Sequence, residues 1–267
     1  MMGDPILFID SGIGGLPYLQ LARRRLPEEH FIYLADRANF PYGTRRAAEV
    51  REAVISAAVR ADLRFRPKVI VLACNTATMI AIDALRERLA VPFVGVVPAV
   101  KPAASLSKNG RIGLLASGRA VKEGYLRNLI DDHAAGCRVL ILSADEMIRF
   151  AETRFVYAAA EEKRSAVRRA IAPLRGEGVD TVVLACTHFL VMEKEFREVL
   201  DREIGVVDSR VGVMNQLIRI LDVYGMRDAE PEDTCRDGLF YLTGDGEPEE
   251  RYAIIARRFG LTLAGSM

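Results

Sequence analysis

The sequence predicts an α/β fold in which parallel strands alternate with helices, and three features of the chain support this prediction. Short apolar runs rich in Ile, Val and Leu recur along the 267 residues, as is typical of strands buried on both faces. Segments with helical spacing separate these runs, and this alternation favours right-handed crossovers between parallel strands. The second half of the chain also loosely repeats motifs of the first.

The elements can be assigned in chain order. The predicted strands are ILFID (6–10), FIYLA (31–35), VIVLA (69–73), FVGVV (93–97), IGLLA (112–116), VLILS (139–143), TVVLA (181–185) and GVVD (205–208). The clearest helical patterns are LPYLQLARRRL (16–26), RAAEVREAVISAAVRADLRF (46–65), ATMIAIDALRERL (77–89), EEKRSAVRRAIAPLR (161–175) and VMNQLIRILDVYG (213–225). Residues 225–246 are acidic and contain Gly and Pro, so we expect a loop there with one strand at LFYLT.

The internal repeat suggests how the chain is organised. IDSGIGGL followed by LACNT in the first half is matched by LASGRAV followed by LACTH in the second half. We therefore expect two pseudo-symmetric Rossmann-like or flavodoxin-like domains, residues 1–97 plus 210–267 and residues 98–209, with mainly parallel sheets facing a shared cleft. The alternative is that VLAC is a residue combination common in buried strands and reflects no duplication.

Composition excludes several classes of function. The 37 Lys and Arg residues nearly balance the 36 Asp and Glu residues, giving a net charge of +1, so no global field favours nucleic acid or an anionic membrane. The start MMGDPILFID lacks a basic region and a cleavage site, so we expect no signal peptide. No apolar stretch approaches the roughly 18 residues needed to span a membrane. These features predict a cytoplasmic protein.

The four cysteines do not form a recognisable metal or disulfide pattern. They lie far apart without C-x-x-C spacing, which favours free thiols. Cys137 and Cys235 are interpreted as small buried hydrophobic residues. Cys74 and Cys186 differ because each ends an apolar run where polar residues begin.

Polar side chains follow several predicted strands and would line the ligand crevice of a parallel sheet. They are Asp10, Ser11, Cys74, Asn75, Thr76, Ser117, Cys186, Thr187 and His188. Neutral hydrogen-bonding groups of this kind suit a small zwitterionic ligand. The loop DSGIGG before a predicted helix could seat an anion, but Pro17 breaks the dinucleotide pattern and no Gly-Lys-Ser/Thr follows.

Two thiols at matched strand ends indicate a particular reaction. Inverting a stereocentre requires a base on one face of a carbon and an acid on the other, and the roles exchange in the reverse direction. His188 lies two residues after Cys186, and Asp10 occupies the corresponding strand end beside Cys74, so each thiol has a group that could assist it. A Cys-His pair alone would also suit acyl transfer or amide hydrolysis through Cys186.

The motifs also resemble a known family. IDSGIGGL (9–16), LADRANFPYGTR (34–45), VLACNTAT (71–78), GVVPAVKPA (95–103), LACTHF (184–189) and VVDS (206–209) resemble, in the expected order, blocks of the glutamate racemase family within the aspartate/glutamate racemase superfamily. The resemblance implies racemisation of glutamate without PLP, metal or nucleotide, supplying D-glutamate for peptidoglycan precursors.

The resemblance also implies roles for individual residues. Cys74 would act on the α-proton of the D-enantiomer and Cys186 on that of the L-enantiomer, with assistance from Asp10 and His188. The implied substrate contacts are Ser11, Tyr42, Gly43, Asn75, Thr76, Ser117 and Thr187, with Asp36 and Glu152 as weaker candidates.

Two departures from the family pattern bear on the substrate. Ala120 replaces a second hydroxyl after Ser117, and Leu190 replaces the proline that commonly follows the C-T-H motif. Loss of a donor beside a ligand carboxylate could weaken binding by about 1–3 kcal/mol. The alternatives are therefore a racemase for aspartate or another acidic amino acid, or a weakly active amino-acid-binding module. The sequence does not fix the oligomeric state, and a homodimer is left open.

Simpler interpretations apply to several of these residues. Tyr42 and Gly43 after a proline could form an ordinary turn. The basic run Arg23 to Arg25 is interpreted as a solvated helix face, because no aromatic residues interleave with it. Glu152 has helical spacing, so a solvent-facing or capping role is the alternative to a role in the site.

Overall fold

The computed structural model describes residues 4–228 and 238–267 and divides the chain into two compact units. The first unit comprises Met1–Val96 and Arg210–Met267, and the second comprises Val97–Ser209. Among the described residues, no helix is both long enough and apolar enough to cross a membrane.

The described strands form two sheets in which every pairing is parallel. The strands are β1 Ile6–Asp10, β2 Phe31–Ala35, β3 Val69–Leu72, β4 Phe93–Gly95, β5 Arg111–Ala116, β6 Arg138–Ser143, β7 Thr181–Leu184, β8 Gly205–Val207, β9 Gly238–Leu242 and β10 Leu261–Ser266. The first unit holds a sheet of order β10-β9-β2-β1-β3-β4, and the second holds a sheet of order β6-β5-β7-β8. The predicted α/β class with two parallel sheets is confirmed.

Helices connect the strands and cover the sheets. They are α1 Leu16–Arg25, α2 Ala47–Phe65, α3 Asn75–Arg88, α4 Val100–Leu106, α5 Gly118–Lys122, α6 Gly124–His133, α7 Asp145–Thr153, α8 Ala160–Ile171, α9 Thr187–Leu190, α10 Glu193–Val199, α11 Arg210–Val223 and α12 Glu250–Arg258. Short 3₁₀ segments span Arg37–Asn39, Tyr42–Thr44 and Ala172–Leu174.

The two sheets share one topology. In each, the second strand of the unit pairs on one side of the first strand, the third pairs on the other side, and the fourth follows the third. This 2-1-3-4 order is the doubly wound arrangement of flavodoxin-like folds. The match extends the loose sequence repeat to the level of strand order.

Each unit has its own apolar core. In the first unit, Val50, Val54 and Ala58 recur at helical spacing along α2 and pack against Ile9 and Leu34 of the sheet. Strand β1 lies centrally and is buried throughout, as its unbroken apolar run predicts. In the second unit the core includes Leu114 of β5 and Val183 of β7, with 0% exposure for both. These central strands hold the site residues at their carboxyl ends.

Candidate active site

The candidate residues lie where the strand order reverses in each unit. The chain passes from β1 to β2 on one side and returns to β3 on the other, so the connections leave in opposite directions at the ends of β1 and β3. Ile9 pairs with Leu72 at that edge, and Leu115 pairs with Leu184 at the corresponding edge of the second sheet. Such reversal points are the usual ligand sites of open α/β sheets.

Cys74 and Cys186 occupy the same structural position in their respective units. Each lies two residues beyond the last residue of its strand and is the N-cap of the following helix, α3 or α9. Their backbones nearly coincide, with φ −137° and ψ 122° for Cys74 and φ −139° and ψ 135° for Cys186. Cys74 is buried and Cys186 is half-buried, and both are free thiols.

The loop after β1 is held by its own hydrogen bonds. Asp10 is fully buried, and its Oδ1 accepts a hydrogen bond from Gly12 N at 2.8 Å and a longer one from Ser11 Oγ at 3.4 Å. Tyr33 Oη donates to Gly12 O at 2.7 Å and accepts from Gly15 N at 3.0 Å. The Asp10 carboxylate is therefore fixed at the strand end before any ligand binds.

Gly15 permits this loop to approach β3 closely. A Cβ atom at this position would lie 2.6 Å from Ala73 Cβ and 3.0 Å from Tyr33 Oη, both closer than van der Waals contact allows. The glycine therefore lets the loop pack directly against the residue that precedes Cys74.

Tyr42 and Asp36 form a buried hydrogen-bonded pair in the first unit. Tyr42 Oη donates to Asp36 Oδ2 at 2.5 Å, and Gly43 follows in the same 3₁₀ segment. Burial, and next the Asp36 carboxylate, raise the pKa of Tyr42 well above its usual value, with smaller contributions from the negative charges of Cys74 and Asp10. The three acidic groups therefore all act on the pKa of the same hydroxyl.

Asn75 and Thr76 open the first turn of α3, directly after Cys74. Both are buried, with exposures of 8% and 5%. Asn75 Oδ1 is buried and has no hydrogen-bond partner among the described residues. A buried acceptor of this kind is costly unless a donor reaches it, so it indicates where a ligand donor would bind.

His188 pairs with Glu152 in the second unit. His188 Nε2 and Glu152 Oε2 are 2.9 Å apart, and the two residues have exposures of 2% and 1%. Glu152 lies on α7, and its side chain is fully buried and does not face solvent. The burial excludes the solvent-facing alternative and places the Glu152 carboxylate beside His188. Thr187, between Cys186 and His188, is also buried.

Ser117 caps α5 and lies beside one of the two departures from the family pattern. Ser117 Oγ accepts a hydrogen bond from Ala120 N at 3.3 Å. The remaining hydroxyl therefore satisfies the backbone of the residue that lacks one. Leu190, at the second departure, is a buried residue at the end of α9.

The remaining sequence interpretations have mixed outcomes. Cys137 is half-buried and packs against the second core, and Cys235 lies outside the described residues. Arg24 and Arg25 are exposed, as expected for a solvated face. Arg23 is different, because it donates to Phe259 O at 3.1 Å and Gly260 O at 2.6 Å and so joins α1 to the turn before β10.

Three residues near these side chains were not predicted from the sequence. Tyr33 anchors the loop after β1, and Asn39 and Thr243 both donate to Asp36. Thr243 directly follows β9, so the rule that selected other strand-end residues would also have found it. Tyr33 lies inside a buried strand, where sequence pattern predicts only packing.

The comparisons with known proteins identify the class of this chain. Residues 18–214 match the family model described as Asp/Glu/Hydantoin racemase. The chain belongs to this racemase family and is accordingly an isomerase.

Individual relatives match over nearly the whole chain. The chain is 36% identical over 261 residues to the glutamate racemase of Treponema pallidum (strain Nichols), covering 97% of this chain and 94% of that protein. It is 37% identical over 225 residues to the glutamate racemase of Shewanella piezotolerans, covering 84% and 83%. The crystal structure of Escherichia coli glutamate racemase matches with a TM-score of 0.88 at 32% identity, covering 98% of both chains.

Proposed function

We propose that this protein interconverts L- and D-glutamate by proton transfer through two thiols, and thereby supplies D-glutamate for peptidoglycan precursors. The observation that carries the proposal is the equivalent placement of Cys74 and Cys186 at the reversal points of two sheets with the same strand order. One thiol per unit matches the chemical need for two acid/base groups of the same kind.

The proposed reaction removes one proton from the α-carbon and adds another to its opposite face. With D-glutamate, the Cys74 thiolate takes the α-proton, and the Cys186 thiol then gives its proton to the opposite face of the resulting carbanion. With L-glutamate, the Cys186 thiolate takes the proton and the Cys74 thiol returns one. The enantiomers are equal in energy in water, so matched acid/base groups suit both directions. No cofactor takes part in this scheme.

Neighbouring groups would assist each thiol. The fixed Asp10 carboxylate serves the Cys74 side, and the first-turn amide groups of the 14-residue α3 stabilise negative charge on its N-cap thiolate. On the Cys186 side, His188 is held by Glu152 through the 2.9 Å hydrogen bond. A buried carboxylate in this position orients the imidazole and stabilises its protonated form.

The polar groups of bound glutamate would contact polar residues at the carboxyl ends of the same strands. The α-ammonium is the donor expected at Asn75 Oδ1, the buried acceptor that lacks a partner in the described structure. We assign the remaining contacts to Ser11, Thr76, Thr187, Ser117 and the Tyr42-Gly43 segment. The Escherichia coli relative was crystallised with L-glutamate, which supports glutamate as the substrate.

Residues 1–97 with 210–267 and residues 98–209 are proposed as the two domains.

The first test is α-proton exchange in deuterated water, followed by NMR and by circular dichroism, with reduced protein and each enantiomer of glutamate. We expect deuterium incorporation coupled to loss of optical activity from both enantiomers. Exchange with aspartate but not glutamate would move the substrate to aspartate. Binding without exchange would support the amino-acid-binding module.

Serine variants test the assignment of the thiols. Cys74→Ser and Cys186→Ser should each abolish full inversion, while exchange of a single enantiomer's α-proton can persist. Cys137→Ser is the matched control, because this thiol packs against the second core and should leave the rates unchanged. Full activity in Cys74→Ser, or a trapped acyl-enzyme at Cys186, would favour acyl transfer instead.

A further inference from the structure

The carboxylate of Asp36 is surrounded by side-chain donors from its own unit. Oδ2 accepts from Tyr42 Oη at 2.5 Å and from Asn39 Nδ2 at 3.0 Å. Oδ1 accepts from Asn39 Nδ2 at 3.1 Å and, in a short contact, from Thr243 Oγ1. A carboxylate that already receives these hydrogen bonds is well suited to hold its neighbours and poorly suited to receive a substrate.

Asp36 also connects to the backbone beside the candidate site. Its N–H donates to Asp10 O at 2.8 Å, where β1 ends. The same residue therefore fixes the Tyr42 hydroxyl through its side chain and contacts the strand end that carries Asp10 through its backbone.

Thr243 joins this arrangement from a distant part of the sequence. It is 4% exposed, and its N–H donates to Ala35 O at 3.0 Å, continuing the pairing of β9 with β2. Its hydroxyl donates to Asp36 and accepts from Ala38 N at 3.2 Å. The residue lies beyond the span 18–214 that matches the family model.

Arg37 holds the segment that follows Thr243. Its guanidinium donates to Thr243 O at 3.2 Å, Gly244 O at 3.1 Å and Asp245 O at 2.8 Å. It also forms an ion pair with Glu249 at 3.2 Å, although its own side chain is only 13% exposed. Gly244 has φ +91°, and a Cβ there would lie 3.1 Å from Ala38 Cβ, so the close turn requires glycine.

We propose that Asp36 and Thr243 are positioning residues that hold Tyr42 and Gly43 in the conformation that binds substrate. Arg37 in turn holds Thr243 through its backbone carbonyl. The proposal rests on the function proposed above, in which the Tyr42-Gly43 segment contacts glutamate. It reassigns Asp36 from a weak substrate contact to a support of the binding segment. It also makes residues 243–249 part of the binding machinery.

The test replaces the Thr243 hydroxyl and follows substrate binding separately from turnover. Thr243→Val keeps the side-chain shape but removes the donor to Asp36, and we expect KM for glutamate to rise about tenfold, as for a lost hydrogen bond to a charged group. The value of kcat should change much less, because no thiol or helper is altered. Thr243→Ser restores the hydroxyl and should restore KM.

A double-mutant cycle separates positioning from general structural damage. If Thr243 acts through Asp36 on Tyr42, then Thr243→Val should add little to the KM of Tyr42→Phe. Thr181→Val is the matched control, because that buried threonine also donates to an aspartate, Asp180 Oδ1 at 3.0 Å, at the start of β7. It should leave KM unchanged. Multiplicative effects of the two changes, or an unchanged KM in Thr243→Val, would overturn the proposal.

A spectroscopic measurement keeps the inference testable if glutamate is not the substrate. In protein labelled with 3-fluorotyrosine, the ¹⁹F signal absent from Tyr42→Phe belongs to Tyr42. We expect Thr243→Val to shift that signal and Thr181→Val to leave it in place. If the wild-type protein has no racemase activity but Thr243→Val shifts the Tyr42 signal, the proposed function is refuted and the positioning role of Thr243 stands. An unmoved signal refutes the positioning itself.

A second variant covers failure of Thr243→Val to fold, which far-ultraviolet circular dichroism would reveal. Arg37→Gln removes the ion pair with Glu249 and weakens the hold on residues 243–249 without changing the buried hydroxyl. It should shift the Tyr42 signal and raise KM in the same direction by a smaller factor. No shift and no rise in this folded variant would count against the proposal.

Discussion

Replacing Glu152 by glutamine should slow one half of the proposed reaction more than the other. Glu152 and His188 are both at least 98% buried and lie 2.9 Å apart, so water cannot substitute for the lost charge. A hydrogen bond to a charged group contributes about 1.5–3 kcal/mol, and each 1.36 kcal/mol is tenfold in rate, so the expected loss is about 10- to 150-fold.

The loss of rate should affect the step in which Cys186 removes the α-proton. Under the proposed assignment, Cys186 takes the α-proton of L-glutamate, and Cys74 takes that of D-glutamate. Because the enantiomers have equal free energy, kcat/KM for complete racemisation must be the same in both directions in every variant. The asymmetry is therefore sought in the early incorporation of deuterium from each enantiomer, measured by proton NMR before inversion accumulates.

The control for this experiment lies on the same helix. Glu146 is an exposed carboxylate at the start of α7, and Glu146→Gln should exchange both enantiomers at wild-type rates. Circular dichroism should show that Glu152→Gln is folded. Equal slowing of both enantiomers in Glu152→Gln, or no slowing of either, would refute the role assigned to the His188–Glu152 pair.

Two further predictions concern stability and its dependence on pH. Burial raises the pKa of Asp180, but hydrogen bonds from Ser107 and other donors outweigh it and lower the pKa overall, so Asp180→Asn should destabilise the protein by about 1–2 kcal/mol at neutral pH. That difference, measured by urea unfolding, should shrink as pH falls below about 3.9, where the carboxylate protonates in the unfolded chain first. Lys68→Met removes the cation 2.5 Å from buried Glu29 and should cost about 3–5 kcal/mol at neutral pH. Burial raises the pKa of Glu29 even beside Lys68, so this cost should diminish at acidic pH, where Glu29 becomes neutral.

Each stability prediction has its own control. Asp131→Asn changes an exposed aspartate on α6 and should leave the free energy of unfolding at neutral pH nearly unchanged. The double change Glu29→Gln and Lys68→Met should recover part of the stability lost in Lys68→Met, because Glu29 then carries no buried unpaired charge, although Asp228 still lacks its partner Lys68. A pH-independent cost for Asp180→Asn, or no recovery in the double variant, would contradict the respective arguments.

The sequence predicted the central strands because their signals are local. ILFID and FIYLA are unbroken apolar runs bounded by polar residues, and they coincide with β1 and β2. Strand β10 was missed, because LTLAGS at 261–266 is only partly buried and contains a glycine, so it lacks that signal. Short helices such as α5 and α9 were missed for the same reason, since five or four residues show no helical period.

The sequence also predicted the polar residues at the strand ends, but not the contacts among them. The strand-end rule selects Cys74 and Cys186 from local pattern alone. The partners of these groups come from remote positions: Glu152 lies 36 residues from His188, and Thr243 lies 207 residues from Asp36. Helical spacing around Glu152 is consistent with either an exposed or a buried side chain, so only the packing of α7 decides between them.

The two units share a scaffold but differ in the groups beside each thiol. Asp10 follows Ile9 of β1, and at the equivalent position after Leu115 the second unit has Ala116. Two residues after the cysteine, the first unit has Thr76 where the second has His188. The unit of Cys74 therefore carries a carboxylate at a strand end where the unit of Cys186 has none, and the unit of Cys186 carries an imidazole paired with a carboxylate.

This difference implies that symmetry of the scaffold does not extend to proton transfer. Exchange of the D-enantiomer's α-proton and exchange of the L-enantiomer's should therefore respond differently to substitution of the helper groups, although complete racemisation must keep equal kcat/KM in both directions. A protein with two chemically identical bases and distinct helpers can thus catalyse a symmetric reaction through two unlike half-reactions.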